Sequence, residues 1–224
     1  MVHQIDVPQP DDAAAMGRVQ LRAWLQTYLN EGAGIDEAWI HEHRGSAVTA
    51  EGIAQWREFI EEAVRQPDLL FCRVVRSGAE IVGFLCGRRD EVVTLGPMYL
   101  LNEAQGQGTG GRLMGEFLAW AQDAPMRLWV TDYNERAIRF YERHGFRTTG
   151  ERELWRGKLP NVRMARESEP GDKIIESEVC RWQRHDLGRL AFLSKDIIDW
   201  ATHDPPQDGG LLPTFPCCGR CLIY

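Results

Sequence analysis

Gln105-Gly106-Gln107-Gly108-Thr109-Gly110-Gly111 stands between two different hydrophobic patterns. Before it, an apolar run rich in β-branched residues ends near Leu101. After it, Leu113, Met114, Phe117, Leu118 and Ala121 recur at the spacing of an amphipathic helix. Glycines at such a junction let the backbone approach a ligand closely. Successive amides and a helix N-terminus then favour phosphate. A Walker loop needs a lysine after the glycines, and none follows here. Gly106, Gly108 and Gly111 match Gly-x-Gly-x-x-Gly literally, but a dinucleotide fold needs the glycines to close the first strand of a βαβ unit. Here the strand ends four residues early and follows hairpin strands. A glycine-rich turn that holds no ligand is the plain alternative.

Working outward, Leu69 to Val75, Ile81 to Cys86 and Val92 to Leu101 read as three strands, separated by Ser77-Gly78 and Arg88-Arg89-Asp90. Upstream, Ile5-Asp6-Val7 is a short first strand. Asp11 or Asp12 caps a helix carrying Met16, Val19, Ala23, Trp24 and Tyr28. A second helical region follows, with Trp39 and Ile40, a turn at Gly45-Ser46, then Ile53, Trp56, Phe59, Ile60 and Ala63. Downstream, Met126 to Val130 is a buried strand, Asn134 to His144 a helix stopped by Gly145, and Phe146 to Leu154 and Asn161 to Ala165 two closing strands. The expected order is β-α-α-β-β-β-α-β-α-β-β. That is a mixed, mostly antiparallel α/β sheet of about 6–7 strands with helices on both faces.

The chain has 224 residues and a formal net charge of −7, with 43% hydrophobic and 26% charged residues. That composition is ordinary for a soluble globular protein, and the acidic balance disfavours nucleic acid as main partner while mildly favouring cationic substrates. Met1-Val2-His3-Gln4 lacks a signal-peptide start, and no stretch approaches ~18 consecutive apolar residues, so the expectation is cytoplasmic and without membrane contact. Cys72 and Cys86 lie in apolar runs and read as buried thiols. Composition turns linker-like from Glu167, dividing the chain into a domain over 1–166 and an extension over 167–224. The extension holds one expected helix over 186–201 and a single Cys-x-x-Cys, Cys218 to Cys221, which is half of what a zinc site usually needs, so no metal is expected.

Gln105, Gly108 and Gly110 also fit Gln/Arg-x-x-Gly-x-Gly/Ala. With Met98-Tyr99-Leu100-Leu101 before it, the stretch resembles the coenzyme A loop of the GNAT (GCN5-related N-acetyltransferase) superfamily. A second motif, Asn134-Glu135-Arg136-Ala137-Ile138-Arg139-Phe140-Tyr141, running on to Gly145-Phe146, resembles that family's Asn-x-x-Ala-x-x-Phe-Tyr signature. The resemblance spans about residues 1–166. Asn102 stands where many relatives have proline.

The resemblance implies transfer of an acetyl group from acetyl-CoA to a primary amine, directly in a ternary complex and without a metal. It assigns the pyrophosphate to the amides of Gly106, Gln107, Gly108, Thr109, Gly110 and Gly111, with Gln105 ahead of them. Leu100 and Asn134 fall to the pantetheine arm and Tyr141 to the general acid. Glu91 is the candidate base, and His41, His43 and Asp132 remain open beside it. Trp24 and Tyr28, with Trp56, either wall the acceptor pocket or belong to the core. Arg112 and Arg139 either meet the cofactor phosphates or face solvent. Cys86 lacks a spaced histidine to activate it as a nucleophile. The acceptor is expected to be a small-molecule amine, with a protein N-terminus or lysine as the alternative. A sensor that binds acetyl-CoA without turnover is the reading from another class, and a homodimer is possible.

Overall fold

The computed structural model describes residues 3–167. The expected helix over 186–201 and the Cys218–Cys221 half-site lie outside the described residues. Seven strands, β1 (Gln4–Asp6), β2 (Leu70–Ser77), β3 (Glu80–Arg89), β4 (Val93–Leu100), β5 (Met126–Thr131), β6 (Arg147–Trp155) and β7 (Leu159–Arg166), form one sheet. Its order is β1-β2-β3-β4-β5-β7-β6. The helices are α1 (Ala13–Thr27), α2 (Glu37–Arg44), α3 (Ala50–Arg65), α4 (Thr109–Ala121) and α5 (Glu135–Arg143).

Three helices, rather than the two expected, precede the main run of strands. The stretch read as one helical region is divided because Asp36 and Thr49 each start a helix of their own. The Asp36 carboxylate accepts from the Trp39 amide (2.8 Å), and the Thr49 hydroxyl accepts from the Gly52 amide (3.3 Å). Between them, Gly45–Val48 forms a 3-10 turn. That turn is wedged against α1: a Cβ on Gly17 would collide with the Ala47 carbonyl oxygen. Asp12 precedes α1 without capping it through its side chain, and its carboxylate accepts instead from Arg76 (2.6 Å).

Strand alternation assigns the two faces of the sheet. Phe71 stands opposite Gly87, and both meet Phe117 of α4, which sits so close over Gly87 that a Cβ there would collide with it. Phe84, three residues earlier on β3, points to the other face and packs edge-on against Trp56 of α3 (5.2 Å between ring centres). Cys72 and Cys86 are cross-strand partners with their sulfurs 3.4 Å apart, both buried as expected.

All strand pairs are antiparallel except β4–β5, and that exception positions the site. The two strands meet only at Val93↔Met126 and Thr94↔Arg127. Beyond those pairs β4 stays on β3 as far as Leu100, while β5 stays on β7 as far as Thr131, so the sheet opens between them. At the point of divergence the β3–β4 register slips between Leu85 and Gly87. Gly96 and Pro97 together oppose Cys86, a bulge that tolerates a proline without an amide to donate.

Candidate active site

A cavity of about 710 Å³ occupies the gap between β4 and β5. Its lining runs from the glycine loop, past the bulge at Gly96 and Pro97, to an aromatic wall made by Trp24, Tyr28 and Trp155. The loop end is shaped by Gly106 (φ 78°) and Gly108 (φ 74°), both in the left-handed region where a side chain strains the backbone. Gly108 precedes α4, and the amides of that helix's first turn have no carbonyl of their own helix to meet. Gln105 folds back so that its Nε2 donates to the Leu100 carbonyl (2.6 Å), tying the loop to the end of β4.

Most of the residues read as site residues line this one cavity: Leu100, Gln105, Gly106, Gly108, Gly110, Gly111, Asn134, Tyr141, Trp24 and Tyr28. Asn134 caps α5, its side chain accepting from the Ala137 amide (3.1 Å). Tyr141 is buried at 8% exposure, and no hydrogen bond from a described residue reaches its hydroxyl. Burial, and then the nearby Tyr99 phenol, push its pKa well above the ordinary tyrosine value. The group is therefore protonated throughout the neutral range.

Other expectations are separated from the cavity. Gln107 and Thr109 do not line it. The Thr109 hydroxyl is buried against His3 Nδ1 (3.0 Å), and Arg112 donates to the His3 carbonyl (2.8 Å) rather than facing the loop. Arg139 pairs with Glu135. Glu91 lies in the β3–β4 connection before Val93, at the end of β4 where the sheet is still closed, and is not part of the lining. Asp132 is held by Arg152 (3.1 Å). His43 stacks on Trp39 (4.3 Å) and its Nδ1 donates to the Trp39 carbonyl (2.8 Å). Neither His41 nor His43 reaches the cavity, and Trp56 is a core residue with no exposure.

Several lining residues escaped the sequence reading. Arg136, Phe140, Arg143 and His144 share a face of the α5 segment, a spacing of four, three and one that was available in the sequence. His144 Nδ1 donates to the Phe140 carbonyl (2.8 Å). At the other end Thr131 donates to Asn161 Oδ1 (3.1 Å), and Asn161 donates to Glu153 (2.9 Å), which stands behind it. Tyr99 accepts from Trp24 Nε1 (2.8 Å).

Arg44, at the end of α2, is buried at 3% exposure. Its guanidinium lies between the faces of Trp24 and Trp155, at 4.2 and 4.3 Å from the ring centres. Burial pulls its pKa down to about 10, opposed by the Tyr99 and Tyr28 phenols and reinforced by Arg156, so it stays charged at neutral pH. Nothing in Glu42-His43-Arg44 marks it as buried, because only the fold brings Trp24 and Trp155 onto either side of it.

The donor set suits a coenzyme A thioester. The loop offers backbone amides where a side chain would strain or fill the cradle, arginines stand near it, and among the described residues no carboxylate lines the cavity. Among the described residues no group of three or more His, Cys, Asp or Glu side chains could hold a metal. No described helix is long and apolar enough to cross a membrane.

Residues 32–146 match the family model described as Acetyltransferase (GNAT) family. A probable N-acetyltransferase of Mycobacterium tuberculosis is 25% identical over 175 residues, covering 72% of this chain and 91% of that protein. An uncharacterized N-acetyltransferase of the same organism is 34% identical over 117 residues, covering 50% of this chain and 72% of that one. Among solved structures, the PaiA N-acetyltransferase of Thermoplasma acidophilum, in complex with coenzyme A, superimposes with a TM-score of 0.57. It is 18% identical and covers 75% of this chain and 99% of that one, a likeness of fold.

Proposed function

The chain belongs to the GNAT acetyltransferase family and is an acetyl-CoA-dependent N-acetyltransferase, and on that premise we propose that it acetylates a small-molecule primary amine by direct transfer within the 710 Å³ cavity. The observation that carries the reading is the continuity of that cavity. One space joins an anion-cradling loop to a separate aromatic-walled end, so two substrates fit end to end without a covalent relay.

When bound, acetyl-CoA supplies an activated acyl group and a thiolate leaving group. The amides of Gly106, Gly108, Gly110 and Gly111 and the positive end of α4 hold the pyrophosphate, with Arg136 and Arg143 adding positive charge at the same end. The bulge at Gly96 and Pro97 frees the cleft side of β4 from its neighbour, so its backbone can meet the acyl oxygen. Tyr141, kept protonated by burial, donates to the sulfur as negative charge gathers there. Trp24, Tyr28 and Trp155 exclude water from the acceptor. The Thr131 hydroxyl, already donating to Asn161, has lone pairs left to accept from the incoming amine.

Cys86 is a buried partner of Cys72 and lies outside the lining, which favours direct transfer over a cysteine relay. A thermal-shift series with acetyl-CoA, coenzyme A, NAD and ATP tests the premise. A ligand at 100 times its Kd stabilises by about 2.7 kcal/mol. A shift with the coenzyme A species alone, followed by thiol release on adding amines, is the expected result. Stabilisation without release across an amine panel would instead mark a sensor.

A further inference from the structure

Thr131, Asn161 and Glu153 form a row of side chains across three strands. Thr131 on β5 is the register partner of Asn161 on β7, and Asn161 is that of Glu153 on β6. Cross-strand partners put their side chains on one face of a sheet, so the three share a face with Trp155 and Leu159, the pair two residues further along the hairpin. Thr131, Asn161, Trp155 and Leu159 all line the cavity, and Glu153 stands behind them. Thr131 and Asn161 are among the few buried polar residues, at 3% and 8% exposure.

Two hydrogen bonds run along the row in one direction. Asn161 Nδ2 donates to Glu153 Oε1 (2.9 Å), and Thr131 Oγ1 donates to Asn161 Oδ1 (3.1 Å). The carboxylate fixes which way the amide faces, because it accepts and only the amino group of Asn161 can donate. With Nδ2 turned to Glu153, Oδ1 is turned to Thr131 and engages the hydroxyl proton. A threonine hydroxyl has one proton and two lone pairs, so Thr131 Oγ1 is left to act as an acceptor alone. Among the described residues no donor meets that oxygen.

An oxygen that only accepts suits an attacking amine. The nitrogen needs its lone pair for the thioester carbon, and a hydroxyl proton aimed at it would compete for that pair. An acceptor bonds an N–H instead and leaves the lone pair free. As the C–N bond forms, the nitrogen gains positive charge and its hydrogen bond strengthens, so the contact favours the transition state over the bound amine. A hydroxyl and an amide are too weakly basic to carry the proton off, so the row orients the nucleophile. The overall exchange is unchanged: C–N forms as C–S breaks, and the proton lost by nitrogen equals the one gained by sulfur. Tyr141, with its phenol kept protonated, has the opposite polarity and serves the sulfur.

We propose that Asn161 is a positioning residue for acetyl transfer: braced by Glu153, it engages the Thr131 proton, so that Thr131 Oγ1 receives an N–H of the acceptor amine. The inference rests on the transferase reading and extends it to the residues that orient the nucleophile.

The test measures thiol release by the full chain with acetyl-CoA and phenethylamine, phenylalanine or spermidine, and carries the fastest of these into the variants. Thr131→Val keeps the shape and loses the oxygen; kcat should fall about tenfold with the amine KM within about threefold. Thr131→Ser should restore most of the rate. Asn161→Ala should cost about as much as Thr131→Val, and the double variant should cost no more than either, because Asn161 acts through Thr131. Asn161→Asp keeps an oxygen toward Thr131 and can share a proton with Glu153, so it should stay close to wild type. It decides the positioning role if the alanine variant does not fold, and a kcat as low as that of Thr131→Val would then overturn it. Three other results would overturn the proposal: a kcat within twofold of wild type in Thr131→Val, losses that multiply in the double variant, or loss of coenzyme A stabilisation in Thr131→Val, which would assign the hydroxyl to the cofactor. Failure of the underlying reading looks different: the wild-type chain releases no thiol with any of the three amines.

Discussion

Replacing Tyr141 by phenylalanine isolates one hydroxyl. The ring is held edge-on by Phe146 (5.9 Å) and Phe140 (5.5 Å), and phenylalanine keeps both contacts. With no described residue bonded to the hydroxyl, its removal leaves no protein group unsatisfied, and stability should change by well under about 1 kcal/mol. What is lost is a donor aimed into the cavity. A hydrogen bond to a charged partner is worth about 1.5–3 kcal/mol, so kcat should fall roughly 10- to 150-fold if that bond forms at the departing sulfur. Because the raised pKa keeps the phenol protonated, the wild-type rate should show no alkaline limb from this group below about pH 10. Steady-state thiol release gives kcat, and a thermal shift with coenzyme A checks fold and affinity in the same sample. A kcat within twofold of wild type, with the cofactor still bound, would refute the donor role.

Gly108→Glu should abolish coenzyme A stabilisation, because residue 108 sits at φ 74° and the new carboxylate would occupy the anion cradle; calorimetric binding near wild type would show that the loop holds something else. Glu91→Gln should leave kcat/KM within about twofold at every pH, as Glu91 lies away from the cavity; a large loss would return it to the mechanism. Gly17→Ala should destabilise by about 1–3 kcal/mol in urea unfolding, since the added methyl meets the Ala47 carbonyl and the α1 contact must shift. Alkaline unfolding should set in above about pH 10. The buried Tyr99 and Tyr141 have folded pKa values above the unfolded one, so their stabilisation is complete below pH 10. Each then loses up to about 1.4 kcal/mol per pH unit as the unfolded chain ionises first. Arg44, lowered to about 10, acts in the opposite sense, while Tyr28 and the buried Cys86 thiol, both raised by burial, act on the side of the two phenols. Stability that stays flat to pH 11 would mean that the phenols are not buried as described.

The local patterns carried the architecture. Apolar runs rich in β-branched residues gave β2, β3 and β4, and the helical period after Gly111 gave α4. The loop and the Asn134–Tyr141 motif placed most of the lining. The reading fell short where a polar residue did its work locally, as at Thr49, whose cap starts a separate α3 after the expected turn at Gly45-Ser46. It faltered again where a functional position was assigned by place in the sequence rather than in space. Glu91 opens the strand that leads to the site, but the site lies at the strand's other end.

The sequence by itself determined the family and most of the order of elements, because apolar runs, helix period and a glycine turn are properties of neighbouring residues. The aromatic-walled end of the cavity was decided only by the tertiary structure. Trp24, Arg44 and Trp155 lie on α1, α2 and β6, and no local pattern connects them. Trp155 is brought to Trp24 and Arg44 by the β6–β7 hairpin, which joins the sheet through the pairing of β7 with β5. A buried charge is a relation among distant residues, and only the packed chain expresses it.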